Sequence, residues 1–119
     1  MKKVLVVEDN ILNMELVLEI LAVLGFEAKG AEDGKEALSA IEMEQYDLIL
    51  MDIELPGMNG IEVRDYIKRK LSYEKVPVIA LTAYAMKGDK ERLIASGFDD
   101  YMAKPLDVAE FIKKLDKYK

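Results

Sequence analysis

The side chains best suited to chemistry stand at the ends of four short apolar runs. Glu8 and Asp9 follow the first run, Asp52 the second, Thr82 the third and Lys104 the fourth. The chain contains no histidine and no cysteine, so serine–histidine triads, thiolate nucleophiles and histidine-ligated metals are excluded. The chemistry that remains is that of carboxylates, a hydroxyl, an ammonium and hard, oxygen-coordinated cations.

Brought together, these groups predict a site for phosphoryl transfer. Carboxylates that share a site repel one another, so we expect each to raise the pKa of its neighbours. One lysine does not neutralise the carboxylates of Glu8, Asp9 and Asp52, whereas Mg²⁺ suits a shallow carboxylate cluster. A hydroxyl and an ammonium then serve the remaining oxygens of a phosphoryl group, whose transfer needs mainly alignment and charge neutralisation.

Each of these residues also has a purely structural interpretation. Glu8 and Asp9 can cap the first helix, together with Asn10. Thr82 can end a strand, and Lys104 can be a surface lysine. The joint pattern of one polar group at each strand end favours the site, since a lone carboxylate beside a buried strand is costly.

The elements that position these residues follow from apolar spacing. Continuous apolar runs predict strands over residues 3–7, 47–51 and 77–81, and shorter strands are predicted over residues 27–31 and about 101–103. Helical spacing predicts helices over residues 10–24, after the Asp33-Gly34 turn, after the turn-rich loop 55–60, around 92–94 and after Asp107. Glu110 stands three residues after Asp107, in the capping-box position.

Strands that alternate with helices predict an α/β fold, with a doubly wound, five-stranded parallel sheet and five helices. Ligands bind at the carboxyl ends of the strands in such sheets, which is where the polar residues stand. We expect one domain over residues 1–119, because the length is typical of one domain and no linker is evident.

Composition restricts the partners. The chain is 51% hydrophobic and 34% charged, and its net charge of −6 argues against nucleic acid as a partner. Lys68, Arg69 and Lys70 form a local basic cluster, which we interpret as a solvated helix end. No apolar run is long enough to span a membrane, and the first run is too short for a signal peptide, so we expect a cytoplasmic protein.

The same residues resemble the receiver domains of two-component response regulators, over nearly the whole chain. The matching segments are residues 6–10, 47–52, 55–60, 76–83 and 104–105. Residues 12–14 and 83–89 are similar to single-domain regulators of the DivK kind and to receivers of hybrid sensor kinases. The first residue is Met and the last helix closes the chain, which favours a stand-alone protein. The resemblance implies the flavodoxin-like strand order 2-1-3-4-5.

The resemblance also implies an acceptor and a metal site. Asp52 matches the phosphoacceptor, a carboxylate nucleophile that receives a phosphoryl group from a partner's phosphohistidine. Glu8 and Asp9 match the acidic pair that binds Mg²⁺ together with Asp52, and the backbone carbonyl of Glu54 matches a further ligand. The donor is then a histidine kinase or a histidine phosphotransfer protein.

A switch is implied at the other polar groups. Thr82 and Lys104 match the hydroxyl and ammonium that contact the phosphoryl group, and Tyr101 matches an aromatic ring that turns inward when Thr82 moves. We expect this motion to change the surface around residues 84–87, where a downstream protein or a second copy of the chain binds. The Lys104-Pro105 bond is expected to be cis.

Partner docking is expected beside the acceptor. Ile11 and Leu12, at the start of the first helix, and Pro105 and Leu106 match the apolar surface that receives a donor helix.

Other functions stay open at this point. A flavoprotein of the same fold needs a phosphate-binding loop after the first strand, where Glu8 and Asp9 repel a phosphate. Asp52 and Glu54 superficially resemble the nucleophile pair of an aspartyl-phosphate phosphatase, but 119 residues leave no room for the cap of such enzymes. An interaction module without the chemistry is disfavoured because all the polar residues are present.

Overall fold

A computed structural model describes residues 2–83 and 88–119, without the side chains of residues 89 and 90. Its strands form one parallel sheet in the order β2-β1-β3-β4-β5, which confirms the predicted fold. The strands are β1 (Lys3–Val7), β2 (Glu27–Ala31), β3 (Leu48–Asp52), β4 (Val78–Thr82) and β5 (Asp100–Ala103).

A helix follows each strand. The helices are α1 (Ile11–Val23), α2 (Gly34–Met43), α3 (Gly60–Lys68), α4 (Asp89–Ala95) and α5 (Val108–Leu115), with 3₁₀ turns at Leu71–Tyr73 and Asp116–Tyr118. Asparagine or aspartate side chains cap four of them by accepting the backbone N–H three residues on. The predicted cap at Asp107 is confirmed, with Glu110 N–H donating at 3.1 Å.

Apolar side chains fill both faces of the sheet. Every residue of β3 and β4 is buried, as their continuous apolar sequences predict. One core cluster includes Val63 and Ile67 of α3, and the other includes Leu21 of α1 and Phe111 of α5. The sheet is thus held between two helical layers, so its carboxyl-end rim is fixed by burial on both sides.

Two strands extend one residue further than predicted. Asp52 is the last residue of β3 and pairs with Leu81, and Thr82 is the last residue of β4 and pairs with Ala103. Both polar groups therefore belong to the ladder rather than to the loops after it. Gly34, predicted within a turn, begins α2 because Asp33 caps that helix.

The basic cluster at the end of α3 is engaged within the chain. Lys68 Nζ donates to the Val76 carbonyl and lies 3.6 Å from Asp99 Oδ2. Arg69 lies over the Tyr66 ring, and Lys70 forms an ion pair with Glu42 on α2. No helix in the described part of the chain has the length and apolarity that crossing a bilayer requires.

Candidate functional site

The fold brings Glu8, Asp9 and Asp52 together at the carboxyl-end rim, as predicted. Each offers a carboxylate oxygen, and these atoms lie within 4.8 Å of one another. Glu8 and Asp52 are buried, with 1% and 2% of their surface exposed, whereas Asp9 is exposed. The cluster thus has two carboxylates fixed inside the protein and a third open to solvent.

Lys104 is the cation of this cluster. Its Nζ donates to Asp52 Oδ2 at 2.8 Å and lies 2.5 Å from Glu8 Oε1. Its backbone N–H donates to the Thr82 carbonyl at 2.8 Å, which ties the end of β5 to the end of β4. The predicted cis bond between Lys104 and Pro105 is present.

The pKa values of the two buried carboxyl groups are shifted in opposite directions. Burial and the neighbouring Asp52 raise the pKa of Glu8 to about 7. Burial alone would raise the pKa of Asp52 too, but a protonated Glu8, the Lys104 ammonium and the Glu54 N–H donate to it and hold its pKa below the usual range. The expectation that all the carboxylates raise one another's pKa is therefore wrong for Asp52.

The loop after Asp52 is fitted closely to this residue. The Glu54 N–H donates to Asp52 Oδ1 at 2.9 Å. Gly60 N–H donates to the Ile53 carbonyl at 2.8 Å, which anchors the start of α3 beneath the loop. A Cβ at Gly60 would lie 2.5 Å from the Asp52 carbonyl oxygen, so only glycine allows this approach.

The two residues of the expected switch lie on neighbouring strands. Thr82 is buried at the rim, and Tyr101 is half-buried on the edge strand β5, where it packs against the core. Ala80, two residues before Thr82, pairs with Tyr101. Residues 84–87, part of the expected output surface, lie outside the described residues.

An open cleft of about 480 Å³ gives access to the acceptor. Its lining consists of Asp9, Asn10, Asn13, Asp52, Glu54, Ala83, Lys104 and Pro105. The sequence analysis did not predict that Asn13 lines the cleft. Its position in the first turn of α1, three residues after the cap Asn10, could have indicated this.

Of the expected docking residues, Pro105 lines this cleft, and Ile11 and Leu12 lie in sequence between its lining residues Asn10 and Asn13. Ile11 and Leu12 are 66% and 75% exposed, and Pro105 is exposed. Leu106 is half-buried and packs against the core beneath α5.

The donor set fits Mg²⁺. With Glu8 ionised, its Oε2 has no hydrogen-bond donor among the residues that the structure describes, although it is buried. Lys104 supplies one positive charge against the carboxylates of Glu8, Asp9 and Asp52. A hard divalent cation would balance this excess, and carboxylate oxygens are the ligands it prefers.

Comparison with known proteins identifies the class. The response regulator receiver domain family matches residues 4–116. The polar-differentiation response regulator DivK of Brucella anthropi is 43% identical over 117 residues, which cover 98% of this chain and 95% of DivK.

Solved structures agree with this match. The receiver domain of a sensor histidine kinase of Pseudomonas aeruginosa PAO1, with a magnesium ion coordinated in its active-site cleft, has a TM-score of 0.88 and 37% identity, covering 98% of this chain and 96% of that one. The response regulator TrrA of Thermotoga maritima, in complex with Mg²⁺-BeF, has a TM-score of 0.87 and 36% identity, with full coverage of both chains.

The fold and rim are those of a phosphorylation-dependent signalling switch. The chain belongs to the response regulator receiver domain family. Receiver domains of two-component systems interact with kinases and with downstream targets.

Proposed function

We propose that Asp52 accepts a phosphoryl group from a phosphohistidine of a histidine kinase or a histidine phosphotransfer protein. The observation that carries this assignment is the state of Asp52, a buried carboxylate whose pKa lies below the usual range. It is thus ionised at neutral pH, with an open cleft in front of it. A carboxylate in this state is a nucleophile that needs no separate base.

Mg²⁺ would be held by Glu8, Asp9 and Asp52, with the Glu54 backbone carbonyl as a further ligand. Bound there, the ion supplies positive charge that compensates the negative charge of the carboxylates and of the phosphoryl oxygens. The raised pKa of Glu8 supports this role, because the carboxyl group holds a proton that a divalent cation displaces.

The transfer itself needs alignment more than covalent catalysis. An ionised oxygen of Asp52 attacks the phosphorus, and the new P–O bond forms as the P–N bond to the donor imidazole breaks. The electron pair of that bond passes to the imidazole nitrogen. Lys104, already 2.8 Å from Asp52 Oδ2, then neutralises a phosphoryl oxygen, and the Thr82 hydroxyl donates to another.

The same site then loses the phosphoryl group slowly by hydrolysis. Water attacks the phosphorus, and the Asp52 oxygen leaves as a carboxylate. Glu54, which lines the cleft, affects the access of this water.

The output begins when Thr82 moves toward the phosphoryl group. A phosphoryl group adds about −1.5 to −2 charges and three acceptor oxygens, so drawing Thr82 inward leaves space behind it. Tyr101 on the neighbouring strand fills this space. Its turn alters the surface of β5 and α5, where a downstream protein or a second copy of the chain binds. The unphosphorylated protein samples this state as a minor population.

The donor helix docks beside the cleft, on Ile11, Leu12, Pro105 and Leu106. The exposure of Ile11 and Leu12 next to the acceptor supports this assignment. Large apolar side chains in one exposed patch are typical of partner-binding surfaces.

Labelling by a small acyl phosphate with Mg²⁺ tests the acceptor. We expect Asp52→Ala to abolish labelling, measured by intact mass, because the nucleophile is gone. Asp47→Ala is the matched control, since Asp47 lies at the opposite end of β3, where its Oδ2 accepts the Lys3 backbone N–H. Labelling of Asp52→Ala at the wild-type level would overturn the assignment.

Two highly exposed leucines, Leu12 and Leu71, test the docking surface. Leu12→Glu should slow transfer from a phosphohistidine protein and leave labelling by the small acyl phosphate intact. Leu71→Glu is the control, because Leu71 is 86% exposed on a 3₁₀ turn and lines none of the rim. Equal transfer rates for the two variants would contradict docking at Leu12.

A further inference from the structure

The Lys114 ammonium on α5 makes three contacts with β5, the strand that carries Tyr101. Its Nζ donates to Asp100 Oδ1 at 3.0 Å and to the Tyr101 carbonyl at 2.6 Å. The same atom lies 5.4 Å from the centroid of the Tyr101 ring. The side chains of Lys114 and Asp100 are mostly buried, with 19% and 16% of their surfaces exposed.

The two hydrogen bonds hold the ammonium in place, whereas the contact with the ring exists only in the present orientation of the Tyr101 side chain. Asp100 and the Tyr101 carbonyl belong to β5, whose ladder with β4 holds them in place. Asp100 is itself fixed, since its Oδ1 also accepts the Tyr101 backbone N–H at 2.8 Å. The ammonium is therefore held in place beside the Tyr101 ring, whose rotation the proposed switch requires.

We propose that Lys114 is a positioning residue for the switch, because its ammonium stabilises the Tyr101 ring in its present half-buried position and not after an inward turn. The inference rests on the proposed role of Tyr101. A cation near an aromatic face attracts the ring, and rotation of the ring away from it forfeits that attraction. Lys114 thus keeps the unphosphorylated protein in its inactive state, and phosphorylation has to overcome this contact.

The expected size of the effect follows from population arithmetic. Only a contact that differs between the two states shifts their balance, and the ring contact is of this kind. Loss of one cation–π contact should raise the minor, inward population roughly two- to tenfold. A ligand that prefers the inward state then gains apparent affinity by the same factor, as long as that state remains minor.

The experiment measures beryllofluoride binding in the presence of Mg²⁺, with the Tyr101 ring resonances followed by NMR. Lys114→Met keeps most of the apolar stem and removes the charge, so it should bind beryllofluoride roughly two- to tenfold more tightly. In the free protein its Tyr101 resonances should shift toward their beryllofluoride-bound positions. Lys113→Met is the matched control, because Lys113 is the neighbouring, exposed lysine of the same helix.

Further variants separate positioning from a general effect of charge or stability. Lys114→Arg retains a cation and should restore wild-type affinity. Asp100→Asn weakens the anchor of the ammonium and should give a smaller shift in the same direction. In a Tyr101→Leu background, Lys114→Met should have no further effect on affinity, because the ring it acts on is absent.

Two results would overturn the proposal. One is equal affinity of Lys114→Met and Lys113→Met. The other is an undiminished effect of Lys114→Met in the Tyr101→Leu background. Failure of the wild-type protein to bind beryllofluoride with Mg²⁺ would instead contradict the proposed function, and the inference with it.

Discussion

The two ends of the sheet differ in how their buried polar groups are hydrogen-bonded. At the amino end, the Tyr73 hydroxyl donates to the Glu44 carbonyl at 2.7 Å and accepts the Tyr46 backbone N–H at 3.0 Å. At the carboxyl end, buried Glu8 has an oxygen without a donor among the described residues and a pKa of about 7. The buried hydroxyl at the amino end is thus paired within the chain, whereas at the carboxyl end one Glu8 oxygen has no donor among the residues that the structure describes.

This difference shows where stability and function separate. A buried polar group that is fully bonded stabilises the fold, and one that is left unpaired costs stability. Changes at the amino end should therefore alter the free energy of unfolding and leave ligand binding intact. Changes at the carboxyl end should alter ligand binding and can even stabilise the metal-free protein.

The largest effect should come from Asp9, the exposed carboxylate of the cluster. Asp9→Ala removes a proposed ligand, so we expect Mg²⁺ affinity to fall by about a hundredfold or more. Mutation of residues that only orient metal ligands already lowers affinity by about tenfold to a hundredfold. Isothermal calorimetry measures it. Asp47→Ala at the amino end is the control and should bind Mg²⁺ like the wild type. Undiminished binding by Asp9→Ala would remove Asp9 from the site.

Glu8 should destabilise the metal-free protein, whereas a buried polar group with all its hydrogen bonds made stabilises the fold. Its folded pKa of about 7 exceeds the ordinary glutamate value of 4.5, so the folded state binds more protons between these two pH values. Metal-free stability should therefore fall as pH rises through this window and level off above it. Glu8→Gln should flatten the decline and stabilise the metal-free protein at pH 8 by about 1–3 kcal/mol.

Chemical denaturation without metal at several pH values measures this effect. Addition of Mg²⁺ should stabilise the wild type more than Glu8→Gln, because the variant lacks one anionic ligand. A wild-type protein whose metal-free stability rises between pH 5 and pH 7 by the same amount as that of Glu8→Gln would contradict the assignment.

At the amino end, Tyr73→Phe should destabilise the protein. The change leaves the buried Tyr46 N–H without its acceptor, at a cost of about 1–3 kcal/mol in the free energy of unfolding. Tyr66→Phe is the control, because Tyr66 is half exposed on α3 and its change should cost at most about 0.5 kcal/mol. If Tyr73→Phe also slowed labelling of Asp52, the two ends would not be independent.

The smallest effect concerns Asp100, near the switch. Burial alone would raise the pKa of Asp100, but the Lys114 ammonium and the Tyr101 N–H hold it below the usual range. The pair therefore contributes stability above the unfolded pKa of about 4, and this contribution is lost as pH falls below it. Asp100→Asn should reduce the loss of stability in acid by less than about 1 kcal/mol, measured by denaturation between pH 2 and pH 6. An unchanged acid profile would show that the pair contributes nothing.

The sequence was enough to predict all five strands and the residues at their ends. The reason is that β1, β3 and β4 are buried on both faces, and a polar residue after such a run is conspicuous. Asp52 and Thr82 were found in this way, whereas Lys104 follows the partly exposed strand β5. Their placement at one rim follows from parallel strands alone.

Contacts that depend on packing between elements were not predictable. The turn at Leu71–Tyr73 spans three residues and has no periodicity, yet Tyr73 bonds Glu44 and Tyr46, which follow α2. Arg64 occupies a polar place in an amphipathic helix but is buried against the Phe98 ring, 5.2 Å from its centroid. The pKa direction of Asp52 also required the positions of its donors, which the sequence does not supply.

Mapping the phosphoryl group on the wild-type protein tests the central claim most directly. The protein is incubated with a small acyl phosphate, with Mg²⁺ or with a chelator, and the modified residue is identified by peptide mass spectrometry. The expected result is a phosphoryl group on Asp52 that requires Mg²⁺, because Asp52 is the ionised, buried carboxylate facing the cleft. A phosphoryl group on Glu8, Asp9 or Asp47, or labelling that is equal with the chelator, would contradict the account.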